Sequence, residues 1–178
     1  MSYTIEKDST HNGLRYVVIM TSIGHRCGYV GVNMDHPLYG KYYSDPTPES
    51  LYWKMEEVKS GPIGKRGIID ILCESSACED GRPLRIGTLF DVHGGITYTS
   101  SEEHSNYPVE SNLWWFGYDC AHCGDARDLD TMSPYMRELE EEFPTGGILR
   151  SLEHCIKECE SLADQLVSLV KIEEGESK

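Results

Sequence analysis

The sequence predicts an α+β fold, a single domain in which a mainly antiparallel sheet carries flanking helices and a long amphipathic C-terminal helix. Three observations favour this class. Strand-like and helical runs are interspersed along the chain, but they lack the regular alternation that builds a parallel sheet. Apolar residues near the C-terminal end recur every three or four positions, the period of a helix with one buried side. The length of 178 residues suits one domain.

Strands are predicted where β-branched and aromatic residues concentrate. Leu14 to Met20, LRYVVIM, is expected to be the first strand, and Tyr29 to Asn33 alternates as a strand does. The runs from Leu84 to Phe90 and from Ile96 to Ser100 are separated by a turn with two glycines, which permit a tight left-handed backbone. Two further strands are expected at 68–72 and 113–117.

Three helices are predicted. The first, Pro48 to Lys59, has proline in its first turn and acids after it, as the helix dipole favours. The second runs from Pro134 to Phe143 and ends before a proline and two glycines. The third occupies 148–172, where it is expected to pack on an α+β core formed by 1–147 and to precede a frayed tail at 173–178.

The apolar stripe of the C-terminal helix extends over three heptads. It consists of Leu149, Leu152, Ile156, Cys159, Ala163, Leu166 and Val170. Such a stripe covers the protein's own sheet, or it pairs with a second helix in a homodimer or an assembly. We favour the sheet, because further apolar residues widen the stripe beyond a two-stranded seam.

The chain is strongly acidic. Sixteen Lys and Arg stand against thirty Asp and Glu, which gives a formal charge of −14. Such a surface repels nucleic acid and anionic membranes, so we expect neither direct nucleic-acid binding nor membrane association. It suits a basic protein partner or simple solubility. Because the chain shows neither a signal-peptide pattern nor a run of about 18 apolar residues, we expect it in the cytoplasm.

Ligand-type side chains crowd two turns that each follow an apolar run. Asp119, His122 and Asp125 come shortly after the run that ends at Gly117, and the residues between them include two cysteines. Asp91 and His93 follow the run that ends at Phe90. Because a buried strand that enters a turn presents polar groups from a rigid base, we expect the two turns to meet in space.

A zinc site is the first chemistry that these residues suggest, because thiolates and imidazoles are the ligands that Zn²⁺ prefers. The candidate ligands are His25, Cys27, His93, Cys120, His122 and Cys123. The pair Cys120 and Cys123 would clasp the ion across a turn, but a structural zinc site usually needs four ligands from two such clusters. The alternative is that the cysteines are small buried hydrophobes and the histidines hydrogen-bond locally.

Catalysis is the second chemistry. A hydrolytic metal or thiol enzyme would use Asp91, His93, Asp119, His122 and Asp125. In the thiol form, Cys120 or Cys123 would pair with a histidine that an aspartate orients. The sequence carries no known cysteine-hydrolase signature. The same residues equally suit a polar network that only holds the fold together.

An interaction surface is the third reading. Glutamates concentrate in the second predicted helix, at Glu138, Glu140, Glu141 and Glu142. Such a face can imitate a phosphate backbone for a basic nucleic-acid channel, although acids on a helix are more often only solvated. Tyrosines crowd the first third of the chain, and Tyr42 and Tyr43 are candidates for contacts because tyrosine gives a large contact area with few rotors.

Three blocks resemble a widespread family of small phage and prophage proteins. They are HRCGYVGVNMDHPLYG, DVHGGITY and WWFGYDCAHCGD, in this order, followed by a helical C-terminal end. In the family pattern the position of Cys123 is often alanine, so the C-x-x-C is a departure and a thiolate metal site would not be a family feature. The resemblance therefore shifts attention from the cysteines to His93, Asp119, His122 and Asp125.

The chain also resembles acidic anti-CRISPR proteins of the type II class. The resemblance implies a protein that binds the host type II CRISPR effector nuclease with its guide RNA and blocks DNA cleavage, without catalysis of its own. The charge of −14 is compatible with such a basic partner. Two alternatives remain at this point: a small metal-dependent or thiol enzyme, and an assembly protein that associates through the heptads.

Overall fold

A five-stranded antiparallel sheet organises the protein. The computed structural model describes residues 2–61, 83–100 and 106–170. Neighbouring strands follow the order β1-β2-β3-β5-β4, and each pairing is antiparallel. The strands are β1 (Tyr3–His11), β2 (Leu14–Thr21), β3 (Arg26–Val32), β4 (Tyr98–Thr99) and β5 (Trp114–Asp119). Together with the helices below, the sheet confirms the α+β class.

Strand β1 was not predicted, and it precedes the run expected to be the first strand. Its sequence YTIEKDSTH is polar and its residues are exposed or half-buried. Charged residues are typical of an edge strand, which they protect from pairing with other chains. The hairpin to β2 turns at Asn12 and Gly13, both at positive φ (47° and 86°). Asn-Gly is a strong hairpin signal, and it places a strand on each side of this turn.

The prediction for the segment from Leu84 to Phe90 was wrong. It was expected to be a strand, but Ile86–Leu89 forms a buried 3₁₀ turn. The amide of Gly87 donates to the carbonyl of Tyr43 at 2.9 Å, and Thr88 bonds back to the carbonyl of Arg85. A short run in which every residue is buried does not reveal its backbone conformation by periodicity. The strand expected at 96–100 shortens to β4, and the one expected at 68–72 lies outside the described residues.

Three α-helices lie in the described ranges: α1 (Tyr52–Ser60), α2 (Pro134–Glu142) and α3 (Leu152–Val170). A 3₁₀ turn at Glu49–Leu51 leads into α1. The hydroxyl of Ser133 accepts from the amide of Met136 and caps α2, which has proline in its first turn. No helix in these ranges is long and apolar enough to cross a membrane.

Helix α3 packs across β2 and β3. Its inner side is almost completely buried, through Cys155, Cys159, Leu162, Ala163, Leu166 and Leu169. A heptad seam between two molecules would need these side chains at the surface. They instead form the main core with one face of the sheet, whereas the ends of the predicted stripe, Leu149 and Val170, stay exposed.

The second face of the sheet has its own small core, built from Val17, Ile19, Cys27, Tyr29 and Trp115. Two glycines let aromatic rings lie flat across the strands. A Cβ at Gly28 would come within 2.5 Å of the Tyr118 ring on the α3 side, and a Cβ at Gly117 would come within 2.5 Å of the Tyr29 ring on the other side. In both pairs the glycine and the tyrosine are direct cross-strand partners.

Candidate functional site

The two polar turns meet, as expected. His93 Nε2 lies 2.8 Å from Asp125 Oδ2, and the rings of His93 and His122 are 5.9 Å apart. His93 also packs edge-on against His154, with 5.3 Å between ring centroids. The turn after the 3₁₀ segment and the turn after β5 thus form one cluster, which we call the polar cluster: His93, Asp119, His122, Asp125 and Arg150.

Asp125 is the centre of the polar cluster. Its side chain is 1% exposed, and besides His93 it accepts from Arg150 Nε at 2.7 Å and from the His122 amide at 3.1 Å. Burial alone raises the pKa of this carboxyl. The hydrogen bonds from His93, Arg150 and the amide outweigh it, so the pKa lies below its ordinary value and Asp125 is ionised at neutral pH.

His122 lies directly on Gly94. A Cβ at Gly94 would come within 1.9 Å of His122 Nε2, and the backbone of Gly94 has φ +69°. On its other side His122 Nε2 is 3.6 Å from Asp119 Oδ1. Asp119 in turn accepts from the Thr97 hydroxyl at 2.7 Å and from the Ala121 amide at 3.0 Å. The glycine is therefore required twice, by its backbone angle and by the ring above it.

The other polar turn is tied to α3. The amide of His93 donates to Glu158 Oε2 at 2.9 Å. Asp91 and Gln165 exchange two hydrogen bonds, from the Asp91 amide to Gln165 Oε1 at 2.8 Å and from Gln165 Nε2 to the Asp91 carbonyl at 3.0 Å. Asp91 is thus fastened through its backbone, whereas the side chains of His93 and Asp125 pair with each other.

The six candidate zinc ligands do not form one cluster in the described part of the chain. Within the ranges that the structure describes, no group of three or more His, Cys, Asp or Glu side chains could hold a metal ion. Cys27 belongs to the core on one face of the sheet and Cys120 to the core on the other. Cys123 is exposed, while Cys120 Sγ faces Cys155 Sγ at 3.7 Å. The sheet therefore separates Cys27 from Cys120.

Cys120 is also poorly placed as a nucleophile. It is 2% exposed, and its contact with Cys155 and its burial both raise the pKa of the thiol. A nucleophilic cysteine needs the opposite shift, toward the thiolate. The arrangement is that of a buried hydrophobic thiol.

The polar cluster closes the base of a long excursion of the chain, residues 126–149, which we call the arm. The chain leaves at Asp125 and returns beside it: the amide of Ala126 donates to the Ile148 carbonyl at 3.1 Å, and the amide of Ile148 donates to the Gly124 carbonyl at 2.9 Å. The ion pair from Arg150 to Asp125 joins the two ends of this base. Gly147 allows the close approach, since a Cβ there would come within 2.3 Å of the Gly124 carbonyl oxygen.

The arm carries α2 on the surface. None of its nine residues is buried. Tyr135 and Leu139 lie four residues apart on one side of the helix, and Phe143 follows directly after its last residue. The three side chains are 72%, 41% and 65% exposed. At the return of the arm, Ile148 is 64% exposed. These side chains form the apolar stripe of the arm.

The candidate partner-binding residues lie in separate parts of the protein. Glu138, Glu141 and Glu142 are exposed on α2, the helix that carries Tyr135 and Leu139. Glu140 is occupied within the protein, because its carboxylate accepts from the amide and the hydroxyl of Thr145 and lies 3.4 Å from Arg127 Nε.

The two candidate tyrosines lie elsewhere. Tyr42 packs edge-on against Trp114, at the beginning of β5, with 5.5 Å between ring centroids. Tyr43 is 36% exposed and its amide contacts the Thr99 hydroxyl. The base of the arm follows the other end of β5. The tyrosines and the base of the arm are therefore separated by the length of a strand.

Two features of the site were not predicted from the sequence. Arg150 was not singled out, since nothing local marks it as the partner of a residue 25 positions away. The apolar stripe of the arm was also missed, although the spacing of Tyr135, Leu139 and Phe143 displays it.

Comparison with known proteins gives no relative. No family model, no curated protein and no solved structure matches this chain. The geometry of the arm and of the polar cluster is therefore what a functional proposal can rest on, together with the sequence blocks described above.

Proposed function

We propose that the protein acts by binding, and that the arm docks on a basic surface of a protein partner. One observation carries this proposal: α2 has an apolar side, yet it buries none of its residues in its own protein. Exposed apolar clusters of this kind are typical of interaction sites. Aromatic residues such as Tyr135 and Phe143 are also the kind of anchor that dominates interface energies.

The acidic residues on α2 favour a partner with a basic surface. Glu138, Glu141 and Glu142 are exposed on the same helix as Tyr135 and Leu139, and the whole chain carries a formal charge of −14. A surface with apolar anchors and an acidic border fits a partner with apolar pockets and a basic border. Proteins that bind nucleic acid have such basic grooves, and an acidic helix can occupy them in place of the phosphate backbone.

The resemblance to type II anti-CRISPR proteins supports a specific partner of this class, the RNA-guided nuclease loaded with its guide RNA. Such an enzyme holds DNA in positively charged channels. In our proposal the arm occupies one of these surfaces and prevents DNA cleavage. The polar cluster then has a supporting role, because the contacts of Asp125 with His93 and Arg150 fix the base from which the arm projects.

The test is DNA cleavage by a guide-loaded type II nuclease, with this protein titrated from zero to a few-fold excess. We expect inhibition near one-to-one stoichiometry. Reversing three charges in E138K/E141K/E142K should weaken inhibition by at least about tenfold, because like charges would then face the basic surface. Absence of inhibition across several such nucleases would contradict the partner.

Matched variants distinguish a direct contact of the arm from effects of net charge and of stability. E49K/E110K/E153K changes the charge by the same amount at exposed glutamates outside the arm, and it should inhibit as the wild type does. His122→Ala should mainly lower thermal stability. If His122→Ala keeps the fold intact and abolishes inhibition, the polar cluster acts directly and its supporting role is wrong.

A further inference from the structure

A groove on the face of the sheet opposite α3 has no part in the docking of the arm. Its volume is about 350 Å³, which lies within the range of small-molecule sites. It lies where the turn between β2 and β3 meets β4, the end of β5 and Tyr107. Residues from these segments line it: Thr21, His25, Cys27, Tyr29, Thr97, Tyr98, Tyr107, Tyr118, Asp119 and Ala121.

Three tyrosines form a rigid aromatic wall of the groove. Tyr29, Tyr98 and Tyr107 meet pairwise edge to face, with 5.3 to 5.4 Å between ring centroids. The hydroxyls of Tyr29 and Tyr107 are hydrogen-bonded to each other, and the Tyr98 hydroxyl donates to the Tyr107 carbonyl at 3.3 Å. These contacts hold the rings without a ligand. Aromatic rings that are fixed in this way attract cations through their negative faces.

Asp119 supplies the charge of the groove. It is the only Asp, Glu, Lys or Arg among the described lining residues. One of its oxygens accepts from the Thr97 hydroxyl and the other from the Ala121 amide, so each keeps a lone pair for a further donor. The nearby cation Arg127 is engaged elsewhere, with the Ile23 carbonyl at 3.3 Å and with Glu140. The groove is therefore negative.

His25 adds an acceptor that lacks a partner. It is 9% exposed, and its Nδ1 is buried without a hydrogen bond. Burial lowers the pKa of His25, and the attraction of Asp119 offsets this only in part, so the ring is neutral at neutral pH. In the tautomer protonated on Nε2, the Nδ1 atom accepts. A buried polar atom without a partner is costly, and a donor from a ligand would remove that cost.

We propose that this groove binds a guanidinium group, with its N–H donors directed to Asp119 and His25 and its plane against the tyrosine wall. A guanidinium is planar, presents several donors and stacks on aromatic rings, which a compact ammonium does less well. Two sources share this chemistry: a free small molecule, and an arginine side chain of a protein partner.

The test is a titration of the ¹⁵N-labelled protein, followed by chemical shifts. The free source is represented by methylguanidinium, with neutral methylurea as its isostere. The protein source is represented by the blocked tripeptide Gly-Arg-Gly, with Gly-citrulline-Gly as its isostere. We expect saturable shifts at the groove with a Kd of about 1 mM, in keeping with the few atoms of such probes. The neutral isosteres should bind at least about tenfold more weakly.

Variants tie the binding to the groove. Asp119→Asn should weaken the binding of both cations by about tenfold, whereas Glu49→Gln, at an exposed glutamate outside the groove and the arm, should not change the affinity. Should Asp119→Asn unfold the protein, Tyr107→Leu gives an independent test by removing one ring of the wall. A peptide that binds far more tightly than methylguanidinium identifies a protein partner, and equal affinities identify a free ligand.

Three outcomes would overturn the proposal: no saturable shift with either cation, equal binding of the neutral isosteres, or full affinity in Asp119→Asn. None of them depends on inhibition of a nuclease. The groove and the arm are therefore tested separately.

Discussion

Gly94 shows how one residue can hold the polar cluster in place. It has φ +69° and lies beneath His122, whereas Gly40 has a similar φ of +74° and open space around its Cα. Gly40→Ala should cost only the backbone strain, about 1 kcal/mol of unfolding free energy. Gly94→Ala should cost about 2 to 4 kcal/mol, because the methyl group also displaces the imidazole.

Urea denaturation measures this difference directly. If both alanine variants lose the same stability, the contact between Gly94 and His122 contributes nothing beyond the backbone angle. Far-UV circular dichroism of each variant checks that the native secondary structure persists before unfolding.

His25 gives a second prediction at the scale of the residue, in the pH dependence of stability. Its pKa is lowered in the folded protein by burial, so below its ordinary value of 6.5 the unfolded chain binds a proton that the folded chain does not. The free energy of unfolding must therefore fall as the pH drops through this window, by at most about 1.4 kcal/mol per pH unit.

His25→Gln removes this titration and keeps a polar side chain. Denaturant midpoints from pH 8 to pH 5 should fall less steeply for the variant than for the wild type. All other histidines are common to both proteins and cancel in the comparison. Parallel curves would show that the folded environment of His25 does not disfavour its charged form.

At the scale of the element, the contrast between α2 and α3 makes a prediction about dynamics. Helix α3 buries one side in the core, whereas α2 buries no residue. Local opening is easiest where few apolar contacts must break. The amide protons of α2 should therefore exchange with solvent at least about tenfold faster than those in the middle of α3.

Hydrogen exchange read by mass spectrometry resolves the two helices. A partner that covers the arm should slow exchange in α2 and leave α3 unchanged. Equal protection of the two helices in the free protein would mean that α2 is already stabilised by contacts of its own.

At the scale of the whole molecule, the sequence predicted the buried part of the fold better than its edges. β2, β3 and β5 are largely apolar runs that are buried on both faces, and α3 has an uninterrupted apolar stripe, so their sequence patterns reflect burial directly. β1 has a polar pattern because it is an edge, and only the Asn-Gly turn marks it. The run at 86–90 is buried at every residue, and such a run looks the same in a strand and in a 3₁₀ turn.

The sequence predicted that the two polar turns meet, but it did not predict the strand register that decides which side chains share a face of the sheet. The meeting of the two polar turns followed from apolar runs that end in polar residues. The failure of the zinc site depended on strand pairing: Cys27 lies opposite Asp119, so Cys120 is one residue out of phase with it and faces the other side of the sheet. Arg150 lies near Asp125 through tertiary contacts that no local pattern encodes.

The closed base of the arm also has a consequence for how this protein can change over time. Asp125 and Ile148 lie side by side, and Met132 and the Asp128 amide hold the first part of the arm against Gly24. The residues from the beginning of α2 to Gly146 can therefore be exchanged without moving a strand of the sheet. Insertions, deletions and substitutions can accumulate there while the scaffold stays constant. Proteins that keep the closed base of the arm can therefore diverge rapidly in what they recognise.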